Sequence, residues 1–371
     1  MRRIGKIMLC VVILVISGFS SNESVVSARE AKPQEEIESF LKAAFDKRAK
    51  ALIDQNIQAL AVDYLPNKWS NNAYSNEKRR THYVNVWSSK RLIRLVKAES
   101  EIRLIRVKIN EERATVSLVQ SLKVSYDYLN RMIPVQSFGV GTRHFMTLEK
   151  KDGKWLISRE WYLDPLDENV DKIAEISGGS LPFVKSNPKI TEGKRFNRQQ
   201  ALAYANKYAG AAWGAGNNHR YNQNYLDYTS RGGDCTNFAS QVIGDKKAGG
   251  LPMTHVWRSA KSGGTQSWVR TDSFSHFILN SGYGKLVSKG DFQHIVSPTK
   301  ENPNGAVSQL LPGDLIGYII EGNDVDHFSV IVGHDDYGYP LVNSHTADRY
   351  RVPFDLGWDK YTKYLLIHIR D

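Results

Sequence analysis

Gly232-Gly233-Asp234-Cys235-Thr236-Asn237-Phe238-Ala239-Ser240-Gln241 is the stretch on which the reading of this chain turns. The chain has two cysteines, and the other, Cys10, lies in an N-terminal segment that reads as a leader. A secreted chain left with one thiol has no internal disulfide partner, so Cys235 is either an inert core residue or a nucleophile. Two glycines and an aspartate precede it, and an apolar-periodic segment follows. The pattern predicts a loop entering a helix, with Asp234 at the N-cap, Cys235 in the first turn and Phe238, Val242 and Ile243 as the buried stripe. At a helix start the dipole favours thiolate over thiol. The unpaired N–H groups there, that of Cys235 included, can also hold a developing oxyanion.

Outward from this motif, 371 residues are too many for one ordinary domain, and two are expected. Residues 1–28 have a basic start (Arg2, Arg3, Lys6), an apolar run from Ile7 to Ile16 and a small-residue site at Val26-Ser27-Ala28. This is the pattern of a secretory signal peptide. It predicts a secreted protein, extracellular or associated with the cell wall. The apolar run is short for a bilayer, so no stable membrane span is expected after cleavage. Cys10 lies too deep in that run to read as a lipid-modified cysteine. The net charge of +11 remains strongly positive without the leader, which makes anionic wall polymers natural partners. The basic residues do not cluster into a nucleic-acid motif, and no nucleic acid is expected as a partner.

The N-terminal part, residues 29–163, reads as helices followed by strands. Apolar residues recur at helical spacing over Glu36–Leu65 and again from about Asn76 to Ala98. Alternation predicts strands over Glu101–Ile109, Arg113–Tyr128, Phe138–Glu149 and Lys154–Leu163, with Asp152-Gly153 as a hairpin turn. Residues 164–195 hold scattered Pro and Gly and read as a linker with one short helix near Val170–Ile176. The second domain, residues 196–371, opens with a helix from Arg198 to Gly210. It ends in strands at Leu315–Ile320, His327–Gly333, Leu341–Thr346 and Lys363–Arg370. The fold class expected is α+β.

A cysteine nucleophile needs a base, and the base needs a group that orients it. His327 opens a strand on which Phe328, Val330 and Val332 can face a core while His327 and Ser329 face the other way. The following strand carries Asn343 and His345 on one face, and either could accept a hydrogen bond from His327. A group from the Trp213–Asn218 loop, with Trp213 and Asn217 as candidates, could join Asp234 and the Cys235 N–H around the substrate. No His-x-x-x-His or Cys-x-x-Cys spacing supports a metal site, and no cofactor is expected.

Leu311-Pro312-Gly313-Asp314-Leu315-Ile316 followed by His327-Phe328-Ser329-Val330-Ile331-Val332-Gly333 resembles the Pro-Gly-Asp and histidine strands of papain-like NlpC/P60 and CHAP cell-wall cysteine peptidases. Three further stretches are closer to the bacterial "putative amidase domain" family of that superfamily. They are the cysteine motif, Gly249-Gly250-Leu251-Pro252-Met253 and Asn343-Ser344-His345-Thr346-Ala347-Asp348-Arg349. The resemblance covers roughly residues 196–371. It implies a papain-like fold and a Cys–His–polar amidase or peptidase that needs no cofactor and forms a thioester. In the NlpC/P60 pattern the third residue is often histidine, which points to His345. Papain-like enzymes can use asparagine, which keeps Asn343 open. Peptide or peptidoglycan stem peptides are the natural extracellular substrate. Two other readings stand beside it: a transglutaminase-type acyltransferase and a non-catalytic wall- or ligand-binding protein. In the N-terminal part, helices followed by a meander ending in Lys154-Trp155-Leu156-Ile157 resemble the NTF2-like cone fold.

Overall fold

In the computed structural model the described residues are 27–166, 169–176, 190 and 193–371. The leader up to Val26, with Cys10, and the middle of the expected linker lie outside them. The N-terminal part has two helices, α1 (Ser27–Asp54) and α2 (Lys68–Lys90), joined by a 3-10 segment at Ile57–Asp63. Asn67 caps α2 by accepting from the amides of Trp69 and Ser70. The second helix lies eight residues upstream of where periodicity placed it and stops before Ile93. Arg91 is drawn into an ion pair with Asp355, and Leu92 takes a positive φ of 54°, so the chain turns out of the helix and into a strand.

Four long antiparallel strands follow: β1 (Ile93–Asn110), β2 (Arg113–Tyr128), β3 (Gln136–Lys151) and β4 (Lys154–Tyr162). Asp152 and Gly153 both have positive φ in the β3–β4 turn, as an Asp-Gly hairpin requires. Alternate residues of these strands, including Val116, Leu118, Met146, Leu148 and Ile157, pack against Ile37, Leu41 and Phe45 of α1. Within this layer Arg48 is buried and forms a bidentate pair with Glu160, whose carboxylate also meets His144 at 2.7 Å.

The C-terminal part begins with α3 (Arg198–Lys207) and α4 (Cys235–Gly244). A two-residue hairpin, β5 (Ser259–Ala260) with β6 (Gly263–Gly264), leads into α5 (Gln266–Val269) and α6 (Thr271–Asn280). Then come β7 (Gly284–Asp291), α7 (Phe292–Val296), β8 (Leu315–Ile319), β9 (His327–His334), β10 (Pro340–Ser344), β11 (Asp348–Pro353) and β12 (Lys363–Ile369). Strands β7 and β11 were not legible in the sequence.

Strand β11 joins the two halves. It pairs with β10 on one side and with Gly139–Gly141 of β3 on the other, so the strands form one antiparallel sheet in the order β1-β2-β3-β11-β10-β9-β8-β12-β7. The first part of β3 serves β11 and its later part serves β4. Helices α3, α4 and α6 cover one face of the C-terminal strands, packing on Phe328, Val330 and Val332. The opposite face, with Ile316, Tyr318 and Ile331, shares a core with Tyr83, Val84 and Trp87 of α2. Asp355 seals this contact, accepting from Arg91, from the Trp87 indole at 2.9 Å and from the Tyr339 hydroxyl at 2.7 Å. Thus the sheet and its core cross the boundary that composition draws between residues 163 and 196.

Candidate active site

Cys235 is the first residue of α4, and every residue of that helix is buried. Gly232 and Gly233 approach it with φ of 107° and 131°, values that favour glycine. Asp234 occupies the N-cap position, but its carboxylate does not cap the helix. Instead Oδ1 accepts from the Tyr228 amide (2.8 Å) and from the Asn237 side chain (2.9 Å). Its own amide donates to the Thr346 hydroxyl at 2.7 Å. Cys235 is 7% exposed, and its thiol lies 3.8 Å from the Thr236 hydroxyl. Burial pushes the thiol up from its ordinary value, while the Phe328 amide and Thr236 pull it down by hydrogen bonding. Desolvation therefore opposes the helix-start effect that the sequence suggested.

His345 lies at the same helix start. Its Nδ1 is 2.6 Å from Asp234 Oδ2, and its Nε2 is 2.6 Å from the Tyr208 carbonyl oxygen. The ring is sandwiched between Tyr221, with centroids 3.6 Å apart and planes 8° apart, and Phe238, with centroids 4.0 Å apart. Both nitrogens thus lie within hydrogen-bond distance of buried oxygens.

His327 lies on the other side of the sheet. Strand pairing matches Asn343 with Val330, so Asn343 and His345 share the face of Phe328 and Val330. The His327 side chain projects to the opposite face, where its ring lies 5.7 Å from Tyr318 and 5.4 Å from Trp358. Its Nε2 has no hydrogen-bond partner among the described residues, and neither do the nearby Ser329 hydroxyl and Trp358 indole. Burial, with the Arg349 charge, pushes the His327 imidazole down to about 3. The backbone still links it to the thiol, because the Phe328 amide that reaches Cys235 is the next residue.

Asn343 is fully engaged. Its amide donates to the Ala205 carbonyl and to Asn206, both at 3.1 Å, and its oxygen accepts from the Arg351 amide at 2.7 Å. The structure therefore brings Asp234, Cys235 and His345 together and leaves the His327 ring apart from Asn343 and His345. Trp213 and Asn217 belong to a loop laid on the N-terminal sheet. The Trp213 backbone sits so close to Gly139 that any side chain there would strike it. The Asn217 side chain holds its own turn by donating to the carbonyls of Arg220 and Tyr221.

A further set of residues connects this helix start to the N-terminal half. Tyr221, stacked on His345, donates to Asp348 of β11. Asp348 is fully buried and also accepts from the Ala211 amide at 2.7 Å and from Arg143 of β3 at 3.1 Å. The chain Arg143–Asp348–Tyr221–His345–Asp234 thus runs from β3 to the residue before Cys235. Thr346 and Asp348 stand in the Asn343–Arg349 stretch that carried the family resemblance, yet spacing assigned them no role. Arg143 left no signal, because its contact depends on the β3–β11 pairing. No group of three or more His, Cys, Asp or Glu among the described residues is arranged to hold a metal ion.

Comparison with known proteins bears on the same region. A family model described as "Putative amidase domain" matches residues 195–367. The match contains Cys235, His327, Asn343 and His345 together with their strands, and it associates this half of the chain with amide hydrolysis. No curated protein matches the chain. Among solved structures, an NTF2-like protein of unknown function from Shewanella oneidensis is 16% identical, covering 36% of this chain and 99% of its own, with a TM-score of 0.23. Another from Shewanella baltica is 12% identical, covering 37% of this chain and 97% of its own, with a TM-score of 0.22.

Proposed function

We propose that this protein is a secreted cysteine-dependent amidase with a papain-like catalytic half, acting on amide bonds of cell-wall peptides. The observation that carries the reading is the position of Cys235. Its thiol lies at the start of a wholly buried helix, against the first residues of β9, inside the segment matched by the amidase family model. His327 follows in β9 next to the Phe328 amide that reaches the thiol, and with its uncommitted Nε2 it is the proposed base, its ring having to turn from the far face of β9 toward Cys235 to act. Cys235 Sγ attacks the carbonyl carbon and gives its proton to His327. The Cys235 amide holds the oxyanion. His327 then protonates the leaving amine, and water releases the acid from the thioester. His345 positions the helix start through Asp234 rather than touching the reacting atoms.

At rest the thiol is pushed up and the imidazole is pushed down, so the neutral thiol–imidazole form is favoured and proton transfer between them is uphill. Substrate must bring His327 and the thiol into register before attack. The test is hydrolysis of muropeptides by the full chain, with released amine as the readout. Cys235→Ser and His327→Ala should each abolish turnover while the far-UV spectrum stays that of the parent. Full activity in Cys235→Ser overturns the mechanism.

A non-catalytic reading draws support from the same buried, protonated thiol. Release of amine that depends on Cys235 excludes it, and absence of turnover on every muropeptide supports it.

A further inference from the structure

The solvent face of the N-terminal sheet carries an arrangement that amide hydrolysis does not use. The inner face of these strands is occupied by α1 and α2, and toward the β3–β4 hairpin the outward side chains Arg106, Lys108, Thr115, Phe145, Arg159 and Trp161 are exposed. Strand pairing sets them in two rungs. One rung runs Lys108, Thr115, Thr147, Arg159, and the next runs Arg106, Ser117, Phe145, Trp161. Together they line a depression of about 430 Å³ with no carboxylate in its wall.

Three properties of this face point to one kind of ligand. Its aromatic rings are exposed, Trp161 at 60% and Phe145 at 54%, side by side with centroids 5.9 Å apart. Adjacent exposed rings rimmed by polar side chains form the kind of contiguous patch that marks a binding surface. Its cations are unpaired: Arg106, Lys108 and Arg159 form no salt bridge among the described residues, and Arg159 instead lies 4.9 Å over the ring of Trp69. Nearby, Arg103 is crowded by the like charges of Arg220 and Arg143, which, after burial, push its guanidinium below the ordinary value. Between the cations lie the short hydroxyls of Thr115, Ser117 and Thr147. Lys108 and Arg159 stand three strands apart, about 14 Å at a spacing of about 4.8 Å per strand.

The geometry points to a binding site for an anionic polysaccharide on this face. Sugar rings stack on Trp161 and Phe145 through their C–H edges. Ring hydroxyls exchange hydrogen bonds with the threonines and the serine. Acidic substituents pair with the cations at either end of the rungs. Single-stranded nucleic acid also uses rings and cations, but nucleobases have no need of a row of short hydroxyls between them. The site lies on strands remote in sequence from Cys235 and does not depend on the amidase reading.

The test is titration calorimetry of the full chain with polygalacturonate, with neutral dextran and an oligo-dT strand as comparisons. Polygalacturonate should bind and dextran should not. Trp161→Ala should weaken binding about tenfold or more, the scale on which removing a stacking aromatic weakens ring binding. The triple variant Arg106→Gln, Lys108→Gln, Arg159→Gln should remove most of the salt dependence. All four positions are exposed, so fold and hydrolysis of a small soluble amide should stay unchanged. No binding of polygalacturonate, unaltered binding in both variants, or tighter binding of oligo-dT than of the glycan would each overturn the proposal.

Discussion

Asp234 Oδ2 stands 2.6 Å from His345 Nδ1, and neither residue is more than 1% exposed. The pair fastens the residue before Cys235 to the end of β10, and the Tyr208 carbonyl and two aromatic rings hold the imidazole from its other sides. Through Tyr221 and Asp348 the same fastening extends to Arg143 on β3. An N-cap aspartate that leaves the helix amides uncapped and clamps a distant histidine is a positioning device for the thiol.

His345→Ala should therefore cost stability as well as activity. It leaves Asp234 Oδ2 buried without its histidine partner and opens a gap between Tyr221 and Phe238, a loss of about 1–3 kcal/mol for the unmet buried carboxylate oxygen alone. Urea unfolding of the variant measures it. A variant as stable as the parent but inactive would return His345 to a direct role in turnover.

Arg143→Ala should loosen the same helix start from the far end. The Arg143–Asp348 contact is partly exposed, so the direct loss is modest, about 1 kcal/mol. The informative readout is the alkylation of Cys235 by iodoacetamide, which should quicken as the helix start frees itself. Restoring the charge with Arg143→Lys should recover part of the protection. Unchanged alkylation rates in both variants would show that the chain of contacts ends before the thiol.

In the parent protein, Cys235 should alkylate slowly at neutral pH and faster as pH rises beyond the ordinary thiol range. The cause is burial, which favours the protonated thiol. Mass spectrometry after timed quenching follows this directly. A fast reaction with a midpoint below the free-cysteine value of about 8.5 would show a thiolate at rest and contradict the buried, neutral thiol.

Acid should destabilise the fold through His327 and His334. Burial holds them neutral, with values pushed down to about 3 and about 4, and a neighbouring arginine adds to each shift. Between the free value of about 6.5 and these values the unfolded chain binds protons that the fold refuses. Their contribution is complete above about pH 6.5 and is lost as pH falls, by up to about 1.4 kcal/mol per pH unit for each histidine. Chemical unfolding from pH 7 to pH 4 gives the slope, and His334→Asn should reduce it. An equal slope in that variant would remove His334 from the account.

Residues 196–371 expressed alone should fail to give a monodisperse fold. The cut strips α2 from Ile316, Tyr318 and Ile331 and leaves β11 without the β3 backbone that pairs with Asp348–Tyr350. An unpaired strand beside an uncovered apolar face invites aggregation. Size-exclusion chromatography and thermal melting decide the matter, and a monomeric fragment with a cooperative transition would show that the shared core is dispensable.

Much of this protein is local and was legible in its residues. Alternation placed β2, β3 and β4, Asp152-Gly153 placed their hairpin, and Gly232-Gly233 before an apolar stripe placed α4 with Cys235 at its first position. These features depend on neighbours two to four positions away, which a sequence displays directly. The face on which a strand residue ends depends on pairing with another strand, and pairing is a property of the whole sheet. Alternation correctly put His327 opposite Phe328, but only the match of Asn343 with Val330 put Asn343 and His345 on the side of Phe328 and away from the His327 ring. A shift of one residue would have reversed that outcome. Strand β11 is six residues long, with two of its residues only partly buried, and its sequence lacks strict alternation, so nothing local announced it. Its place between β10 and β3 makes one sheet of two sequence segments and carries Arg143 to Asp348. Desolvation of Cys235 likewise arises from strands and helices distant in the chain, which is why the helix start alone misjudged the thiol.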